Sequence, residues 1–170
     1  DRRPDAESAF PASGAALLLD LSPASGTGFG AFAFDTREER ADLYTAVVSL
    51  KEPRGRLLIR RRAELEEAWL EGAAAAATVA LERDGLTPAD VDLVVPAQVS
   101  PAFLSRLPAT LGVPREKVAD YTATLPDTLT TSFVLALDRA RSEGALGPGR
   151  RALLLAFGSG VTVGAATYRF

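Results

Sequence analysis

Residues 151–170 read Arg-Ala-Leu-Leu-Leu-Ala-Phe-Gly-Ser-Gly-Val-Thr-Val-Gly-Ala-Ala-Thr-Tyr-Arg-Phe, and no other segment leaves a fold so little freedom. An apolar run at 152–157 meets a glycine-bracketed turn, Gly158-Ser159-Gly160, and then a second strand-like run at 161–168. Glycine on both sides of a tight turn adopts backbone angles that other residues resist, and it lets amides approach another group closely. The segment is expected to form two neighbouring strands that close a sheet. The turn itself has two readings, a strand-to-strand connection required by the fold or an exposed set of backbone donors.

Upstream, strand-like and helix-like runs alternate. Residues 14–21 are apolar and long enough for one buried strand, 22–28 are turn-rich, and 29–34 alternate aromatic with small residues as a second strand. Residues 36–56 are charged and carry Pro53 and Gly55, which predicts an irregular or partly helical stretch. The longest helical pattern covers 57–83, with an alanine-rich interior that offers a smooth face for close packing. Gly85 stops it, and Thr87-Pro88-Ala89-Asp90 caps a short turn. Residues 91–96 then read as a buried strand and 101–111 as an amphipathic helix. Residues 126–143 read as a helix apolar on nearly every side of its middle, as expected between two layers. This order predicts an α/β layered fold around a mainly parallel mixed sheet between helices.

Composition removes whole classes of chemistry. The sequence has no cysteine, histidine or methionine, so disulfides, thiolate nucleophiles, imidazole bases and Cys/His metal sites are absent from it. No metal site is expected, since a carboxylate site has no motif behind it. The net charge is −3, and the one basic cluster, Arg60-Arg61-Arg62, is followed by Glu64, Glu66 and Glu67. That pattern reads as a solvated helix start rather than an anion site, and no nucleic-acid partner is expected. No apolar run approaches the ~18 residues of a membrane span, so no membrane association is expected and the chain is expected in the cytoplasm. It opens on Asp1 rather than methionine, which suggests a processed, tagged or truncated start.

Four motifs, taken in order, resemble consecutive landmarks of the ketoacyl synthase III family. They are Leu-Thr-Pro-Ala-Asp-Val-Asp-Leu-Val-Val-Pro-Ala-Gln at 86–98, Leu-Gly-Val-Pro-Arg-Glu-Lys-Val at 111–118, Gly-Ala-Leu-Gly-Pro-Gly at 144–149, and Ala-Phe-Gly-Ser-Gly at 156–160. Together they cover about half of such an enzyme. The resemblance implies a thiolase-like layered fold, two similar α/β halves with the active site between them. Phe-Pro-Ala-Ser-Gly-Ala-Ala at 10–16 falls over a motif that precedes the last strand of the family's first half. Residues 1–24 are thus expected to be a lead-in and the last strand of the N-terminal half, and 25–170 the C-terminal half. A chain of this kind leaves its inter-half face apolar and exposed, and its 14–21 strand has no sheet to join. A complementary N-terminal half carrying the nucleophile is therefore expected, whether a separate polypeptide or an upstream piece, and the assembled protein is expected to dimerise.

The resemblance also assigns site positions, counted back from Phe170 without a gap. Family catalysis uses a Cys from the first half with a His and an Asn from the second. The His position holds Ala97 and the Asn position Asp127. An Asn amide donates to a developing enolate, whereas a carboxylate repels it. A carboxylate instead orients and stabilises a histidine, as in acyl-transfer triads. Asp127 also has a structural account, a carboxylate at a helix N-terminus. Three accounts of Ala97 stand open: an engineered replacement of a natural His, a non-catalytic partner chain, or a base supplied by the missing half.

The family takes an oxyanion amide from the middle of the terminal turn, here Ser159 between Gly158 and Gly160. The pantetheine-contact positions fall at Ala63 and Glu66. Gln98 and Ser100 are polar residues placed to line the substrate tunnel, with helix capping as the structural account of Ser100. Thr128, Thr130, Thr131 and Ser132 form a hydroxyl-rich helix start, for which side-chain back-bonding is the plain reading. No cofactor is implied; acyl-CoA or the phosphopantetheine of an acyl carrier protein would be the substrate. The function expected is acyl transfer in polyketide or fatty-acid-type biosynthesis without decarboxylative condensation. The other reading is a non-catalytic subunit that completes the fold and dimer of an active chain.

Overall fold

The computed structural model of the chain describes residues 13–19, 26–49 and 56–170. The lead-in at 1–12, the end of the 14–21 run, the start of the turn at 22–28, and Pro53 with Gly55 lie outside the described residues. The C-terminal hairpin organises what is seen. Strands β5 (Arg151–Gly158) and β6 (Thr162–Arg169) are antiparallel. β6 pairs antiparallel with β1 (Gly28–Thr36), and β5 pairs parallel with β4 (Leu93–Pro96), giving the order β1-β6-β5-β4. Val94 adds a parallel bridge to Val118. The sheet is therefore mixed, as expected of this fold, with antiparallel pairs outnumbering the one parallel pair. A helical crossover joins parallel neighbours only from β4 to β5 among the described strands, while β1 and β6 pair from opposite ends of the described chain.

One face of the sheet is covered by α1 (Leu65–Arg83) and α2 (Pro101–Leu111). The alanine run of α1 does what its small side chains permit. Ala73, Ala76, Ala77 and Ala80 are buried, and a Cβ on Gly72 would stand 2.7 Å from Val163 Cγ2 of β6. The helix ends where Gly85 takes φ +64°, with Leu86 N–H donating to Leu81 O and Gly85 N–H to Glu82 O, satisfying orphan carbonyls. Beside this terminus the Asp84 carboxylate accepts the Ala31 N–H at 2.9 Å and the Thr167 hydroxyl, pinning a register shift in β1 between Phe29 and Phe32. Gly30 leaves the room for Asp84, because any side chain there would collide with it.

The opposite face carries only α3 (Thr130–Ser142), which lies against β4 and β5 through Ala136 and Ala140. Among the described residues, no other helix covers that face. Phe32 and Phe34 are 48% and 72% exposed. With Phe29, Phe133 and Leu137 they line an open groove of about 260 Å³ against which Leu17 lies. Residues 13–19 run past α3 in no ladder, although Ser13 hydrogen-bonds Thr131, and Leu18 is 95% exposed. The 14–21 run therefore does not form a strand over its described part. A strand needs a neighbour for its backbone groups, and none of the described strands pairs with 13–19.

Two boundaries differ from those predicted. The 36–56 stretch and the start of the 57–83 pattern form a short 3₁₀ helix at Glu38–Leu43 followed by a hairpin. Its strands are β2 (Tyr44–Ser49) and β3 (Arg56–Arg61), so helix α1 begins only at Leu65. Arg60 and Arg61 belong to β3 rather than to a helix start. Helix α3 begins at Thr130 instead of 126 because the preceding loop is held by side chains.

Candidate functional site

β4 and β5 run parallel, with Pro96 paired to Leu155, and deliver their carboxyl ends to one edge of the sheet. In α/β folds that edge is where ligands bind, because the following helices also begin there. Ala97 stands just past β4 and is 9% exposed, with its N–H donating to Leu155 O at 3.0 Å. Its methyl group offers neither proton nor donor. Gln98 is fully buried, with Nε2 donating to Pro96 O at 2.9 Å and Ala119 O at 3.2 Å while Oε1 accepts the Tyr121 N–H at 2.7 Å. Its backbone N–H donates to Ser132 Oγ at the start of α3, 3.2 Å away. A buried amide must be paired, and here the backbone takes it. The Gln98 amide ties the 119–121 loop to the strand end.

Ser100 caps α2. Its Oγ accepts the Phe103 N–H at 3.0 Å and donates to Glu66 Oε1 at 2.8 Å, which locks the first turns of α1 and α2 together. The capping account thus covers both contacts of the hydroxyl. Glu66 is engaged in that bond, and Ala63 is exposed.

The loop before α3 is held at Asp127. Oδ1 accepts the Leu129 N–H at 2.8 Å, and Oδ2 accepts Nη2 of Arg61, at the end of β3, at 2.9 Å. Leu129 takes φ +57°, an uncommon conformation for a branched side chain. The helix-start account of Asp127 is modified accordingly, since its carboxylate binds the amide ahead of α3 rather than one in its first turn. Thr131 and Ser132 donate back to the carbonyls of Thr128 and Leu129, as the plain reading expects. Among the described residues, Thr128 has a buried Oγ1 with no hydrogen-bond partner.

The third contribution is the hairpin turn. Gly158 pairs with Thr162 across it, Gly158 O accepts the Trp69 indole N–H at 3.1 Å, and Val161 O accepts the Arg37 N–H at 2.9 Å. Gly160 takes φ +80° and buried Val161 φ +23°. Ser159 is exposed with ordinary negative φ, so its side chain costs the turn nothing. Beneath the turn, Trp69, Phe103 and Phe157 pack with ring centroids 4.9–6.3 Å apart. Both non-glycine residues with positive φ among those described, Leu129 and Val161, flank this edge. Strain of this sort persists only where the surroundings enforce it.

Charges around the site are paired. Arg37 meets Asp35 and Glu71, Arg62 meets Asp42, and Arg106 meets Glu67. The Asp35 hydrogen bond outweighs burial and raises the Arg37 guanidinium above its ordinary range. Burial pushes Asp120 up, but hydrogen bonds from the Thr122 hydroxyl and amide and the charge of Arg115 prevail and hold its carboxyl below the usual value. No group of three or more His, Cys, Asp or Glu among the described residues could hold a metal ion, and no described helix is long and apolar enough to cross a membrane.

The residues missed from sequence were Arg61 and Trp69. A signal for Arg61 was present: Tyr44-Thr-Ala-Val-Val is rich in strand formers, and Pro53 with Gly55 marks a turn before the next apolar run. Nothing local announced Trp69, because its acceptor lies 89 positions away.

Residues 81–170 match the family model described as 3-oxoacyl-[acyl-carrier-protein (ACP)] synthase III C terminal. The beta-ketoacyl-[acyl-carrier-protein] synthase III 3 of Streptomyces coelicolor is 44% identical over 51% of this chain and 26% of its own length. Among solved structures, the 3-oxoacyl-[acyl-carrier-protein] synthase III of Aquifex aeolicus superposes with a TM-score of 0.78 at 26% identity, over 88% of this chain and 46% of the other. The priming beta-ketosynthase of the R1128 polyketide biosynthetic pathway does so with 0.71 at 27% identity, over 83% and 44%. The chain thus has the α/β thiolase-like half-fold, and the match spans about a quarter of the curated relative's length.

Proposed function

This chain belongs to the 3-oxoacyl-[acyl-carrier-protein] synthase III family of fatty-acid and polyketide biosynthesis, and we propose that, joined to a complementary N-terminal half, it moves an acyl group from a CoA or carrier-protein thioester without decarboxylative condensation. The observation that carries this reading is the make-up of the sheet edge. Position 97, just past β4, offers only a methyl group, and the family's Asn position is read as the Asp127 carboxylate, held by Arg61. Condensation needs donors aimed at an enolate oxygen, and a carboxylate opposes that charge.

Acyl transfer needs less from this half. A Cys or Ser of the complementary half attacks the thioester carbonyl, and the oxyanion is met by the Ser159 N–H. The carbon–sulfur bond then breaks, and the CoA or carrier thiolate leaves with the proton that a base of that half took from the nucleophile. Asp127 orients and stabilises that base in its cationic form. An alcohol, amine or thiol acceptor attacks the acyl-enzyme and frees the nucleophile.

The test is intact-mass spectrometry of the complete assembly after incubation with acetyl-, octanoyl- and dodecanoyl-CoA. A covalent acyl adduct on the nucleophile, with no carbon dioxide released from malonyl thioesters, supports the proposal. A second reading, the non-catalytic subunit, is favoured by the Arg61–Asp127 ion pair, which already satisfies the carboxylate. Absence of an adduct with every donor would support it instead.

A further inference from the structure

We infer that Arg61 is a positioning residue for Asp127, so that the carboxylate's cationic partner within this chain comes from the β2–β3 hairpin. The inference rests on the acyl-transfer reading above and names what holds its orienting group. Arg61 ends β3 directly opposite Tyr44, where the hairpin register places it. Its guanidinium lies 5.5 Å over the Tyr44 ring and donates Nη2 to Asp127 Oδ2 at 2.9 Å across 66 positions of sequence. A guanidinium stacked on an aromatic face loses much of its freedom and presents its donors in a fixed plane. The other carboxylate oxygen is held by the Leu129 N–H at 2.8 Å. Each oxygen therefore has one fixed contact, from a different element, and the carboxylate plane is determined by both.

The pair is partly enclosed, with side-chain exposures of 32% for Arg61 and 19% for Asp127, so solvent screens it less than a pair on the open surface. No other described arginine is paired with Asp127. The methyl group of Ala97 supplies no competing donor, which leaves the hairpin to provide the charge. A displaced hairpin would release one carboxylate oxygen and let the side chain rotate about the remaining contact.

The test compares Arg61→Met, Arg61→Lys, Tyr44→Leu, Asp127→Asn and Arg61→Met/Asp127→Asn in the complete assembly, with acetyl-CoA as donor and pantetheine as acceptor. Arg61→Met should lower kcat by about 10- to 100-fold with KM changed less than about threefold, the signature of lost orientation rather than lost binding. Arg61→Lys should restore part of the rate, since it keeps the charge but not the planar fork. Tyr44→Leu, which leaves the cation in place, should show a smaller fall in the same direction and keeps the proposal testable if Arg61→Met fails to fold.

In the Asp127→Asn background, Arg61→Met should have no further effect on kcat, whereas an independent structural role would multiply the two losses. Full kcat for Arg61→Met and Tyr44→Leu beside a slowed Asp127→Asn overturns the inference and leaves the acyl-transfer reading intact. So does a multiplied loss in the double variant. An Asp127→Asn protein at full rate overturns the role of Asp127 and the inference with it.

Discussion

Replacing Trp69 with phenylalanine should loosen the terminal turn more than its distance in sequence suggests. The indole N–H donates to Gly158 O at 3.1 Å, and the side chain is 5% exposed. Phenylalanine keeps the ring contacts to Phe103 and Phe157 but removes the donor and the second ring. An enclosed carbonyl left without its partner costs about 1–3 kcal/mol. The space vacated by the lost ring adds roughly 1 kcal/mol, because packed surroundings close over it only in part. The sum, about 2–4 kcal/mol, is large for a single substitution.

Urea unfolding of the complete assembly, followed by circular dichroism because Trp69 is the only tryptophan of the chain, should show a lower midpoint with an unchanged slope. Amide hydrogen exchange at 158–161 should quicken more than in β4. A loss under about 1 kcal/mol, or exchange that quickens equally everywhere, would refute the claim that the indole bond holds the turn.

Gly30→Ala should destabilise by several kcal/mol, since the methyl group must displace the Asp84 carboxylate and break its bonds to Ala31 and Thr167; thermal melting of the assembly reads it. The Asp92 carboxyl is held below its ordinary value by the Arg151 backbone N–H and then by Arg150. Its folded value lies below the unfolded one, so its contribution is present above about pH 4 and lost as pH falls further. Asp92→Asn should therefore lower the neutral-pH melting temperature and flatten its decline on acidification. The isolated chain should bind a dye that reports exposed apolar surface, through Phe32, Phe34 and Leu18, and lose that signal when its complementary half is added. Ala97→His alone should not give decarboxylation of a malonyl thioester in the assembly, whereas Ala97→His/Asp127→Asn should raise carbon dioxide release above background.

Several elements were legible because their causes are local. Gly85 and Gly112 end helices where the sequence predicts an end, and each takes the left-handed conformation that a side chain would resist. The 101–111 helix and the hairpin around Gly158-Ser159-Gly160 were drawn where the structure has them. The β2–β3 hairpin was absorbed into a charged loop and a helix start, because a short run such as Leu57-Leu58-Ile59 fits either period. The ties of Gln98 were not legible for a different reason: its polarity does not show that Ala119 and Tyr121, more than twenty positions on, meet its amide.

The sequence by itself determined where the backbone must turn and which apolar runs must be buried. Those are properties of neighbouring residues. Only the tertiary structure decided that antiparallel pairs outnumber the parallel one, that Arg61 meets Asp127 across 66 positions, and that Phe32 and Phe34 are exposed. Pairing between distant segments depends on which chain conformation buries the most apolar surface with every backbone group bonded, and no local window of the sequence carries that sum.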